Sequence, residues 1–116
     1  MAQTPEGRVK KKVSDFLKSV DNLYYFMPVP SGYGESTLDY LGCYRGKLFA
    51  IETKAPGKKP TSRQETTIRF IRAAGGKVFV IDGDITELTE WIKATTQCQS
   101  TSRPPMVSWA SPSEEI

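Results

Sequence analysis

Asp39, Glu52 and Lys54 are the residues of this chain whose types and spacing could do chemistry. They sit in the stretch LDYLGCYRGKLFAIETK, residues 38–54, which otherwise places Leu, Tyr, Phe, Ala and Ile where a buried sheet wants them. A turn at Arg45-Gly46 makes this stretch a hairpin in which Cys43 opposes Leu48, Leu41 opposes Ala50 and Asp39 opposes Glu52. Because side chains alternate along a strand, Lys54 shares the face of Glu52. Directly opposed residues have Cβ atoms roughly 4.5–5.5 Å apart, and like charges at that distance are destabilising. A divalent cation between the two carboxylates reverses the sign of that interaction. Oxygen-only ligation suits Mg²⁺ or Mn²⁺, with water filling the remaining positions. The same residues also fit an exposed hairpin end at which Lys54 is a salt-bridge partner, and a one-residue slip of register would turn Asp39 to the other face. Both readings stand on geometry.

The elements that must position these groups are legible from pattern. Residues 4–20 read as an amphipathic helix: Thr4 is a cap, Pro5 suits the first position, and Val9, Val13, Phe16, Leu17 and Val20 share a face. Glu6 falls on or beside that face, where a carboxylate also complements the helix N-terminus. The segment LYYFMPV at 23–29 is extended, confined by its prolines to an edge or a strand end. Tyr24, Tyr25, Phe26 and Met27 could pack in the core or furnish a subunit contact. After the hairpin, residues 62–74 read as a helix with Gly75-Gly76 as its stop; Gln64, Ile68 and Ile71 share one face, and Gln64 also fits a capping box with Thr61. KVFVI at 77–81 reads as a strand expected to be central. A last helix around 84–94 buries Ile85, Leu88 and Trp91 or Ile92. A helix between two strands implies a crossover and a mixed sheet. The expected domain is 1–94, followed by a Ser/Thr/Pro-rich tail at 95–116 whose Trp109 and Met106 could dock or serve a dimer contact.

Composition narrows the chemistry. The 116 residues suit one domain, and 38% hydrophobic with 25% charged residues suits a soluble protein with a modest core. No run is apolar enough to span a bilayer and the N-terminus lacks a secretory pattern, so the expected location is cytoplasmic. The two cysteines suggest neither a disulfide framework nor a zinc site. There is no histidine, which removes Ser-His and Cys-His pairs and histidine metal sites. Acid-base or metal chemistry must come from Asp, Glu, Lys, Tyr or Cys. The net charge is +3, but residues 54–72 carry six basic residues (Lys54, Lys58, Lys59, Arg63, Arg69, Arg72) against Glu65 alone. Such a patch suits a polyanion, or is simply a solvated face. APGKKPTS is no phosphate loop, because Glu52 stands where its first glycine should be.

Asp39 followed by Glu52-Thr53-Lys54 resembles the split D…(D/E)xK signature of the PD-(D/E)xK nuclease superfamily. The wider set resembles its VRR-Nuc branch: a first helix bearing Glu6, a glycine-containing loop before Asp39, IETK, the Ser62-Arg63-Gln64 helix start, and AAGGKVFVI. The resemblance covers about residues 4–92, and departs in having Leu38 where many members have proline. It implies an α/β, restriction-endonuclease-like core, a small mixed sheet in αββαβ order flanked by helices. It further implies a metal-dependent phosphodiesterase acting on DNA. Asp39 and Glu52 would hold Mg²⁺ or Mn²⁺, helped by the Thr53 carbonyl, and Lys54 would orient or deprotonate the attacking water. Glu6 would complete the metal site, and Gln64 would steady the lysine or a phosphate oxygen. Lys58, Lys59 and Arg63 could grip flanking phosphates, and Tyr33 with Gly34 could contact DNA. Stand-alone members resemble Holliday-junction resolvases acting as homodimers in a bacterial cell or phage-infected host. A less selective duplex or flap nuclease, an inactive DNA-binding module, and a small basic domain that only assembles with nucleic acid remain as alternatives.

Overall fold

The computed structural model describes residues 4–29 and 37–99. Its elements are α1 (Pro5–Ser19), β1 (Leu23–Phe26), β2 (Tyr40–Tyr44), β3 (Lys47–Thr53), α2 (Ser62–Ala73), β4 (Lys77–Ile81) and α3 (Thr86–Gln99). The strands form one mixed sheet in the order β1-β2-β3-β4. β1 and β2 pair antiparallel, as do β2 and β3, whereas β3 and β4 run parallel with α2 as the crossover.

The hairpin register follows from its turn. Arg45 and Gly46 both take positive φ, 51° and 83°, the geometry that matches the twist of a two-residue hairpin. Tyr40 then pairs with Ile51, Leu41 with Ala50 and Cys43 with Leu48, as the sequence pattern requires. Alternation sends the two sets of side chains to opposite faces. Tyr40, Tyr44, Phe49 and Ile51 join Val9, Val13 and Leu17 of α1 and Leu88 and Ile92 of α3 in the larger core. Ala50 and Val78 join Leu38 and Ile68 in a smaller cluster beneath α2. The sheet is therefore covered on both faces, which explains the nearly continuous burial of β3 from Phe49 to Thr53.

Two expectations change. KVFVI forms an edge strand rather than a central one among the described residues: there β4 pairs with β3 alone, and Val80 is left exposed. Its apolar character comes from burial of Val78 under α2 and of Phe79 and Ile81 in the larger core, which does not require a neighbour on both sides. The last helix continues to Gln99, with Thr95 buried, past the point at which the tail was expected to begin. At the other edge, β1 places Tyr25 against the Tyr40 ring while Tyr24, Phe26 and Met27 remain exposed. Met106 and Trp109 lie outside the described residues. No described helix is long and apolar enough to cross a membrane.

Candidate active site

Glu52 and Thr53 are the last two residues of β3, and alternation separates them onto the two faces of the sheet. On the α2 side, Gln64 Nε2 donates to Glu52 Oε2 at 2.7 Å. On the α1 side, Thr53 faces Lys10, whose Nζ donates to Thr53 Oγ1 at 3.1 Å. Asp39 stands one residue before β2 and closes the open end of the hairpin. Its Oδ2 accepts from the Thr53 amide at 2.9 Å and the Thr53 hydroxyl at 2.6 Å. Lys10 Nζ adds a third donor to the same oxygen at 3.2 Å.

Glu52 is the unusual group. It is 2% exposed, and among the described residues its Oε1 has no hydrogen-bond partner. Lys54 Nζ lies 3.6 Å from Oε2, on the same side of the chain as expected. Burial pushes the Glu52 carboxyl up to about 7, Asp39's negative charge adds to the rise, and Lys54 offsets only part of it. A carboxylate in this setting is only partly compensated by positive charge.

The sequence-derived residues are distributed as follows. Asp39, Glu52 and Lys54 come together at one end of β3. Gln64 fills the capping-box role, its Oε1 accepting from the Thr61 amide at 2.9 Å, while its Nε2 donates to Glu52 rather than meeting Lys54. The cap thus aims the side chain that fixes the acid. Thr53 touches Asp39 through its amide and hydroxyl. Glu6 approaches through Lys10, whose Nζ donates to Glu6 Oε2 at 2.9 Å. Lys58, Lys59 and Arg63 are exposed and make no salt bridge among the described residues. Arg69 and Arg72 lie exposed on α2, where Arg69 meets Thr66 and Arg72 reaches the Val78 carbonyl. Tyr33 and Gly34 fall outside the described residues.

The simple picture of Asp39 and Glu52 as a bare opposed pair is corrected by Lys10. The register is right, but Thr53 and Lys10 hold the Asp39 carboxylate toward α1 while Gln64 holds Glu52 toward α2. Among the described residues no three acidic, cysteine or histidine side chains form a metal-holding cluster. Lys10 was legible in principle: it follows Glu6 by four residues, and stands between Val9 and Val13 on the inward side of α1. Burial acts to lower its pKa, but the hydrogen bond to Glu6 and the charge of Asp39 outweigh this and raise it.

Asp39 and Glu52 are the residues here that could hold a divalent cation. Glu52 Oε1 is a buried, unpartnered oxygen, the kind of atom that a cation would satisfy. Asp39 and Glu52 supply hard oxygen donors suited to Mg²⁺ or Mn²⁺. A groove of about 990 Å³ opens beside the site rather than at it, lined by Leu38, Leu41, Leu48, Phe70 and Ile71.

The arrangement defines a class of fold. A solved structure described as a VRR_NUC domain matches with a TM-score of 0.60 over 85% of this chain and 98% of that one. At 22% sequence identity this likeness speaks to the fold, which is that of a VRR-Nuc domain. No protein-family model and no curated protein matches the sequence.

Proposed function

We propose that this chain is a metal-dependent DNA endonuclease that nicks four-way junctions as a homodimer in the cytoplasm of a bacterium or a phage-infected host. The observation that carries the reading is Glu52, a buried acid with an unpartnered oxygen, between Lys54 and Gln64 and within the field of Asp39. A buried carboxylate oxygen with no partner among the described residues is an atom that a bound cation would satisfy. Asp39 and Glu52 would hold Mg²⁺ or Mn²⁺. Such a cation, when bound, supplies a nucleophile at neutral pH and stabilises charge on the phosphoryl oxygens.

The chain's own residues do the rest. Lys54 Nζ, kept beside Glu52, orients the attacking water and counters charge that develops on the phosphate. Gln64 fixes the Glu52 side chain by its hydrogen bond to Oε2. Thr53 fixes Asp39 with two donors, leaving little rotamer freedom to lose when the site engages a phosphate. Lys58, Lys59 and Arg63, exposed on the loop and helix start that follow Lys54, grip flanking phosphates. The exposed Tyr24 and Phe26 on edge strand β1, with Met27 just after it, supply a surface for two-fold pairing. Duplex or flap cleavage would use the same site with a different approach of DNA.

A second reading, an inactive DNA-binding module, is favoured by one observation: Lys10 already supplies a positive charge to Asp39. Cleavage of a labelled four-way junction in Mg²⁺, Mn²⁺ or EDTA, beside linear duplex and flap, separates the two. Symmetric metal-dependent nicks that vanish in Asp39→Asn and Lys54→Ala, with binding retained, are expected. Binding without cutting in either metal would leave the DNA-binding module.

A further inference from the structure

We propose that Lys10 is a competing internal cation: its ammonium holds Asp39 and Glu6 together in the metal-free chain and withdraws from Asp39 when a divalent cation binds. The inference rests on the metal-dependent reading above and deepens it. An ammonium has three N–H donors, and Lys10 places them on Glu6 Oε2 at 2.9 Å, Asp39 Oδ2 at 3.2 Å and Thr53 Oγ1 at 3.1 Å. Asp39 Oδ2 thereby accepts three bonds, a full load for one oxygen.

Position makes withdrawal feasible. Lys10 lies on α1, and its side chain is one-third exposed, beside the 42% exposed Glu6 one helical turn away. It can leave Asp39 and stay paired with Glu6 in an i,i+4 geometry that is stable on a helix surface. Thr53 keeps its two donors on Asp39, so the carboxylate stays positioned while the lysine moves. A monovalent charge so near the carboxylate opposes a divalent one, so the lysine sets the threshold concentration at which metal enters. Lys10 is thus a positioning residue that trades the hydrogen bonds it gives Asp39 and Thr53 against metal affinity.

The test combines chemical protection with metal binding. Acetylation of each lysine in the full chain is followed by mass spectrometry in EDTA and in Mn²⁺, and Mn²⁺ affinity is measured by calorimetry for wild type, Lys10→Met and Lys10→Gln. Lys10 should be acetylated several-fold faster in Mn²⁺ than in EDTA, while exposed Lys18 is unchanged. Both variants should melt lower than wild type in EDTA and bind Mn²⁺ about tenfold tighter, an interaction change of the size one nearby charge produces. The wild-type acetylation pattern does not depend on either variant folding. If wild type binds Mn²⁺ with Lys10 reactivity unchanged or lower, the inference fails and the nuclease reading stands. If neither wild type nor variants bind Mn²⁺, both fail.

Discussion

Replacing Glu52 with glutamine should stabilise the metal-free protein above neutral pH, the opposite of what losing a buried charged residue usually does. The reason lies in the carboxyl itself, moved by burial and by Asp39 from its ordinary 4.5 to about 7. A raised carboxyl pKa means that between these two values the folded chain holds a proton that the unfolded chain has released. The contribution is full below 4.5 and is lost as pH rises through 7. Each pH unit of separation is worth about 1.4 kcal/mol, so ionised Glu52 at pH 8 leaves the fold about 3 kcal/mol weaker than protonated Glu52 would. Its side chain is 3% exposed, so solvent screening takes little from that figure.

Glutamine keeps the shape and the acceptor for Gln64 without the charge. It also puts an N–H near the position of Oε1, where no described residue accepts, at a cost of about 1–2 kcal/mol. The net expectation at pH 8 in EDTA is a gain of about 1–2 kcal/mol, and a domain of this size shifts its melting temperature by roughly 4–8 °C per kcal/mol. Thermal melts of both proteins from pH 4.5 to 8.5 are the assay. The variant-minus-wild-type difference cancels the background of other carboxylates and should rise by about 3 kcal/mol across that range. Saturating Mn²⁺ should stabilise wild type and leave the variant much less affected. A difference that stays flat with pH would refute the account of Glu52 as a buried acid only partly compensated by Lys54.

Other perturbations follow from the same geometry. Changing Lys58 and Lys59 together to glutamine should weaken DNA binding across sequences and lower the salt dependence of log K by about 2, read by titration at several salt concentrations. Gly42→Ala should cost about 1–3 kcal/mol in denaturant unfolding, because an added Cβ would meet Tyr24 O and lie 2.6 Å from the Phe49 ring. Thr61→Ala should lose about 1 kcal/mol with the cap. It should also reduce cleavage, because the capping box aims Gln64 at Glu52; Thr61→Ser should restore both stability and rate.

Much of this protein was determined by local sequence. The Arg45-Gly46 turn set the hairpin register because side-chain period and turn geometry leave one pairing that buries Tyr40, Phe49 and Ile51 on a common face. The capping signal at Thr61 and Gln64 started α2, and the spacing of Val9, Val13 and Leu17 turned α1 inward. These depend on neighbours within a few residues, so a pattern can report them. Tertiary structure decided what long-range packing controls. β4 became an edge because its apolar residues are satisfied by α2 and the main core, which composition cannot distinguish from burial between two strands. Lys10 reached Asp39 across 29 residues of chain because the α1 face, not any motif, delivered its ammonium to the carboxylates. Glu52's raised pKa likewise depends on the depth of the site and the field of Asp39, which exist only once both layers of helix have closed over the sheet.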